Sequence, residues 1–156
     1  RLPTKDRAAI HYTVTGASKD KSYLAHLKQL ALASGIQVDW VLNPSNQELQ
    51  QCYAKADAFV LTSMPRKKSV EGFGIVYLEA GAYSLPCLAY NTGGVHEAIK
   101  DTVTGYLIEV ENLKELSQRI QYFLRNPNSR QRMGRSNLAF ALSRSWQNVV
   151  LETLIQ

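Results

Sequence analysis

Short β-branched and aromatic runs alternate with helical periodicity along this chain, and that alternation narrows the fold before any single residue is weighed. Residues 10–15 (IHYTVT) form a strand pattern that ends at Gly16. Residues 20–34 then repeat apolar side chains at helical spacing, namely Tyr23, Leu24, Leu27, Leu30 and Ala31, and Gly35 stops the run. A strand at 38–42 is broken by Asn43-Pro44, a helix at 47–55 can be capped by Ser45 or Asn46, and a strand covers 58–62. The next helix begins near Gly74, and Pro86 opens a short apolar strand where its missing N–H does little harm. A helix over 95–100, a turn at 101–105 and a strand over 106–110 follow, and helices at 114–124, 129–143 and 147–155 close the chain. Residues 1–9 are polar, carry Pro3, and read as a connection into the first strand. Strand and helix in this alternation imply parallel βαβ units, hence an α/β fold with a doubly wound parallel sheet. Ligands of such sheets bind outside the carboxyl ends of the strands. Gly16, Asn43, the loop 63–71 and residues 91–94 all follow strand ends and are expected on that edge.

The stretch Glu71-Gly72-Phe73-Gly74-Ile75-Val76-Tyr77-Leu78-Glu79 falls on the same edge. Gly72 and Gly74 leave the backbone N–H groups without Cβ cover, so a ligand can approach them closely. The apolar helical run from Ile75 presents unpaired N–H groups and a positive dipole end to the same loop, a combination that binds phosphate. Glu79, one to two turns into the helix, suits a neutral diol such as a ribose, from which a carboxylate accepts two hydrogen bonds. Glu71 precedes the helix and can reach the far end of the same ligand. Ribose, diphosphate and hexose of a sugar nucleotide match this layout. Arg66, Lys67 and Lys68, just upstream, are candidate anion contacts. Plainer roles exist for each: a tight turn for the glycines, a dipole-stabilised helix start for Glu71, an exposed helix position for Glu79, a solvated loop for the basic run. Joint spacing favours the binding role for the glutamates and glycines. No G-x-G-x-x-G follows the first strand, since Thr15-Gly16-Ala17-Ser18 lacks the later glycines, and an NAD-binding Rossmann domain is disfavoured.

A Glu, seven residues and a second Glu, written EGFGIVYLEA through residue 80, resembles the paired-glutamate motif of the retaining GT-B glycosyltransferases, the large group 1 family. The resemblance extends over nearly the whole chain. Residues 11–16 resemble that fold's strand ending in Gly, and LQQCYAKADAFVLTS (49–63) its helix, Ala-Asp and strand. Thr92-Gly93-Gly94-Val95-His96-Glu97 is similar to its Gly-Gly-x-x-Glu turn, Gly105-Tyr106-Leu107-Ile108 to its last strand, and Ser145-Trp146 to the opening of its closing helix. The resemblance implies a C-terminal, nucleotide-sugar-binding domain spanning 1–156. In it Glu79 binds the ribose, the N–H groups of Gly74, Ile75 and Val76 hold the diphosphate, and Glu71 with the backbone of Gly72 and Phe73 holds the transferred hexose. Gly16, Asn43, Thr92, Gly93 and Gly94 complete the donor site. The implied activity is a retaining hexosyltransferase that uses a UDP-, GDP- or ADP-sugar as substrate and needs no separate cofactor. The acceptor, a sugar or lipid-linked sugar, is expected on an N-terminal domain across the cleft, and peripheral membrane association of the whole enzyme fits such acceptors. The loop before Val70-Glu71 resembles that of phosphatidylinositol mannosyltransferases and favours GDP-mannose. A non-catalytic sugar-nucleotide module and a GT-B epimerase remain as alternatives.

Composition agrees with one domain: 156 residues, 45% hydrophobic. The net charge of +5 is spread over the chain, so a nucleic-acid face is not indicated. Cys52 and Cys87 have no metal-ligand spacing and point to a cytoplasmic location, and no apolar run approaches the roughly 20 residues that span a bilayer. Asp-x-Asp is absent from the sequence, and a helix terminus with basic groups can replace a divalent ion, so metal independence is expected. Three positions depart from the family pattern. Ser84 stands where Gly is usual and Gly81 stands mid-helix, each at a cost of about 1 kcal/mol, and Asn43 stands where Gly is usual at the edge of the base pocket, where a changed backbone alters the base contact. The family's first strand and helix, which carry an Arg and a Lys that clamp the diphosphate, have no match here. In the doubly wound order that strand lies between those at 10–15 and 58–62. The remaining strands are then expected to pair directly or to receive another chain, and the isolated chain is expected not to transfer sugar.

Overall fold

A computed structural model of the chain describes residues 2–18, 20–64 and 74–144. All ladders are parallel, and the chain divides into two compact units, Arg1–Lys55 and Ala56–Gln156.

In the first unit, α1 (Thr4–Ala8), β1 (His11–Gly16), α2 (Lys21–Ser34), β2 (Gln37–Leu42) and α3 (Asn46–Lys55) follow in order. The helix α1 corrects the sequence expectation of a plain connection over 1–9. Pro3 sits at its N-cap with φ −56°, a value its ring fixes in advance, and no backbone N–H is sacrificed there. The Arg7 guanidinium then donates to the Ser34 carbonyl at 2.7 Å, fastening this single turn to the end of α2. Helix α2 begins where the Asp20 carboxylate accepts from the Ser22 and Tyr23 N–H groups, at 2.9 and 3.0 Å. It ends at Gly35 in the left-handed conformation. Helix α3 starts with a reciprocal capping box: the Ser45 N–H donates to Glu48 Oε2 at 2.8 Å, and the Glu48 N–H to Ser45 Oγ at 3.3 Å. Strand β1 pairs with β2 over its full length, His11 opposite Gln37 through Gly16 opposite Leu42. Burial here is thin. No residue of α2 is buried, and Leu32 is 85% exposed.

The second unit holds the core. Strands β3 (Phe59–Leu61), β4 (Cys87–Tyr90) and β5 (Gly105–Ile108) lie in the order β3-β4-β5. They alternate with α4 (Ile75–Ala82) and α5 (Val95–Ala98), and α6 (Leu113–Arg125) and α7 (Pro127–Ser143) follow. Every residue of β4 is buried, as expected for the middle of a parallel sheet covered on both faces. Leu88, Tyr90, Tyr106, Ile108, Phe123 and Met133 form one cluster, walled by Ala58, Val60, Val110, Leu116 and Ile120. Helix α7 packs along α4, and the two approach closely because glycines face the contact. A Cβ on Gly81 would stand 3.0 Å from both Ala141 Cβ and the Asn137 carbonyl oxygen. One on Gly134 would stand 2.0 Å from the Ser84 carbonyl oxygen. Gly81, expected to be only a propensity cost, is thus the packing residue of the α4–α7 crossing.

The described strands form two sheets, β1-β2 in the first unit and β3-β4-β5 in the second. The expected helix over 147–155, and Ser145-Trp146 at its start, lie outside the described residues.

Candidate functional site

The candidate ligand edge of the second unit is built where β3 and β4 end and α4 begins. Gly74 is the N-cap of α4 with φ 73°, left-handed backbone that a residue with a Cβ adopts only under strain, and among the described residues no side chain caps the helix. The Tyr77 N–H turns back to the Gly74 carbonyl at 2.9 Å. Among the described residues no group accepts from the N–H groups of Ile75 and Val76, which the helix start presents as donors. Ile75 is 65% exposed, and Glu79, four residues on and so on the same helix face, is exposed as well. The opposite face carries Tyr77, Ala80 and Gly81, all buried. Glu79 is thus placed one turn beyond the helix start and outside the core.

Beyond β4 the chain makes the Thr92-Gly93-Gly94 turn into α5. Gly93 has φ 55°, and the Val95 N–H donates to the Thr92 carbonyl at 3.2 Å. His96 Nδ1 lies 3.1 Å from the Gly93 carbonyl oxygen, so the tautomer protonated at Nδ1 closes the turn. Helix α5 contacts α4, which brings this turn and the α4 start into one unit.

Gly16 and Asn43 meet in the first unit, at the carboxyl ends of β1 and β2, where the Asn43 N–H donates to the Gly16 carbonyl at 2.9 Å. Asn43 has φ 52°, which explains why Gly is favoured there and why Asn, tolerant of left-handed backbone, is accommodated. Glu71, Gly72 and Phe73, and the basic run Arg66, Lys67 and Lys68, lie outside the described residues.

Beneath α4 the chemistry is inert. Cys87 Sγ is 3.9 Å from the Tyr77 carbonyl and 4.0 Å from that of Leu85. Burial pushes its thiol up to about 12, against a smaller lowering from the Asn137 hydrogen bond, so it stays protonated and is no nucleophile. Asn137, fully buried on α7, donates to the Leu85 carbonyl at 2.7 Å and lies 3.4 Å from Cys87 Sγ. The helical pattern of α7 carried no sign of this buried amide. The Tyr77 hydroxyl donates to the Leu61 carbonyl at 3.2 Å, a bond between α4 and the end of β3 that the motif also did not announce. Among the described residues, no group of three or more His, Cys, Asp or Glu stands close enough to hold a metal ion. No helix among them is long and apolar enough to cross a membrane.

Residues 1–138 match the family described as Glycosyl transferases group 1. The chain is 31% identical, over 129 residues and 80% of its length, to the GDP-mannose-dependent alpha-(1-6)-phosphatidylinositol monomannoside mannosyltransferase of Mycolicibacterium smegmatis. It covers 34% of that enzyme, and it spans about a third of the length of the curated relatives it matches. In structure it is similar to Anabaena HepE in complex with UDP-glucose, with TM-score 0.78 and 21% identity, covering 97% of this chain and 42% of that one. It is also similar to the C-terminal domain of a group 1 glycosyl transferase, LpcC from Francisella tularensis. That match has TM-score 0.69 and 16% identity, and covers 90% of this chain and 91% of that domain. With its parallel strands alternating with helices and α4 in the position of the paired-glutamate motif, this chain belongs to the glycosyl transferases group 1 family and has the fold of the C-terminal half of a GT-B enzyme.

Proposed function

We propose that this chain is the donor-binding half of a retaining hexosyltransferase, taking a nucleoside-diphosphate sugar and supporting transfer of its hexosyl unit to an acceptor hydroxyl. The observation that carries the reading is the uncapped, glycine-led N-terminus of α4 with Glu79 exposed on the same face. Two backbone N–H donors and the helix dipole suit the diphosphate, and Glu79 suits the ribose hydroxyls. Glu71 is assigned to the hexose, with the backbone of Gly72 and Phe73. Thr92, Gly93 and Gly94 flank the phosphates, Gly16 and Asn43 the base, and Arg66, Lys67 and Lys68 supply positive charge.

In the reaction the bond from the anomeric carbon to the diphosphate oxygen breaks, and its electron pair leaves with the diphosphate. The acceptor oxygen forms the new bond and passes its proton to the departing diphosphate oxygen. Negative charge grows on the diphosphate in the transition state, so donors fixed at the α4 terminus stabilise that state more than the ground state. We assign this role to the helix rather than to a divalent ion. GDP-mannose is favoured as donor by the similarity to the mycobacterial mannosyltransferase, whose name gives GDP-mannose as its donor. The acceptor, a sugar or lipid-linked sugar, is assigned to the remainder of the enzyme, with a cytoplasmic or membrane-peripheral location.

Calorimetric titration of the full-length protein with UDP-, GDP- and ADP-sugars tests the reading, with chelator added in a parallel series. Glu79→Ala is expected to weaken free nucleoside diphosphate by about 2–4 kcal/mol, through loss of two charge-assisted hydrogen bonds. Glu71→Ala is expected to spare the free diphosphate and weaken only the intact sugar nucleotide. Equal effects of both substitutions on free diphosphate would overturn the assignment of roles, and loss of binding with chelator would overturn metal independence.

A further inference from the structure

Tyr77 stands in the first turn of α4, yet it faces away from the proposed ligand and is fully buried. Its ring meets Phe59 of β3 edge to face, with centroids 5.7 Å apart and planes at 79°. Its hydroxyl donates to the carbonyl of Leu61, the last residue of β3, at 3.2 Å. Its own carbonyl oxygen lies 3.9 Å from Cys87 Sγ, at the start of β4. One side chain therefore ties the opening turn of α4 to the carboxyl end of a strand. Helix α4 is only 8 residues long and has no side-chain cap. Its first turn depends on such tertiary ties to keep its direction, because so short a helix has little stability of its own.

From these contacts we infer that Tyr77 is a positioning residue for the donor diphosphate. Through its hydroxyl bond to Leu61 it holds the N–H groups of Ile75 and Val76 in the direction that the phosphates need. This inference rests on the proposed donor site. An apolar side chain of similar size would fill the same space and pack on Phe59. The hydroxyl adds a directional bond, and it is aimed at the carboxyl end of β3. Hydrogen bonds to phosphate depend steeply on donor direction, so a small rotation of the first turn weakens phosphate contacts and leaves base and ribose contacts in place.

Tyr77→Phe in the full-length protein tests this, with the nucleoside and the nucleoside diphosphate of the preferred base as paired probes. Diphosphate affinity is expected to fall roughly three- to tenfold, the factor that one lost hydrogen bond represents, while nucleoside affinity stays unchanged. The ratio of the two affinities is the readout, because a general loss of stability moves both probes together. The melting temperature is recorded beside it. An unchanged ratio, with or without a lower melting temperature, overturns the inference and leaves the donor site standing. Wild-type protein that binds none of UDP, GDP and ADP overturns the donor site, and the role of Tyr77 with it.

Discussion

Replacing Gly134 by Ala sets two effects of known sign against each other. Alanine is the better helix former, and in an exposed helix the exchange would stabilise by about 1 kcal/mol. Here the added methyl carbon would sit 2.0 Å from the Ser84 carbonyl oxygen, 2.9 Å from the Ser84 carbonyl carbon and 3.3 Å from Pro86 Cδ. A carbon and a carbonyl oxygen come to rest at about 3.3 Å, so α7 must retreat by roughly 1 Å from atoms that are mostly backbone. Asn137 lies one turn further along the same buried face. A retreat of that size lengthens its 2.7 Å bond to the Leu85 carbonyl past hydrogen-bonding distance. Overpacking costs about 1–3 kcal/mol and the orphaned buried amide and carbonyl about 1–3 kcal/mol more. After subtracting the propensity gain of about 1 kcal/mol, Gly134→Ala is expected to destabilise by about 1–5 kcal/mol. Urea unfolding followed by circular dichroism measures this directly. Gly81→Ala is the companion variant. Its Cβ would meet atoms at 3.0 Å rather than 2.0 Å, so its loss should be smaller than that of Gly134→Ala. Equal or greater stability of Gly134→Ala than wild type would refute the reasoning, since propensity would then have outweighed the contact.

Ser84 has φ 57° just past the end of α4, with its N–H donating to Gly81 and the Leu85 N–H to Ala80. These two bonds make a Schellman motif, so Ser84→Gly should stabilise by about 1 kcal/mol in thermal unfolding. Cys87, its pKa raised to about 12 by burial, should resist iodoacetamide in native protein near pH 8 and react once urea unfolds the chain. The Asp20 carboxyl is held below its usual range by the Ser22 hydroxyl and by the N–H groups of Tyr23 and Ser22. Its folded value lies below the unfolded one, so its contribution is full above the unfolded value and is lost as pH falls through the folded one. Asp20→Ala should therefore lower the unfolding midpoint at neutral pH, with the gap to wild type closing in acid.

Much of this chain was legible as pattern. Alternating strand and helix periods placed the five strands and the helices from α2 to α7 to within a few residues, because period and turn chemistry are local properties. Gly35 and Ser45 marked their helix ends for the same reason, through backbone conformation and a capping side chain. The left-handed backbone at Ser84 was foreseen where Gly is usual. The spacing of Glu79 from the glycines put the carboxylate and the open helix start on one exposed face, since residues four apart on a helix stand together.

Other features came from contacts between segments distant in sequence, which no local window contains. The short helix α1 carries no helical period; it is held by Pro3 and by the reach of Arg7 to Ser34, 27 residues away. Gly81 reads as a weak point in a helix until Asn137 and Ala141 are found 3.0 Å from its absent side chain. Asn137 reads as one more polar residue of α7 until its amide meets the Leu85 carbonyl, 52 residues away. Tyr77 reads as one apolar position in a helical run, while its hydroxyl bonds a strand end 16 residues back. Sequence determined the elements, their order and the chemistry offered at the start of α4. Tertiary structure decided which glycines are required by close packing and which buried polar groups find partners, because desolvation and steric exclusion act only once the chain has folded against itself.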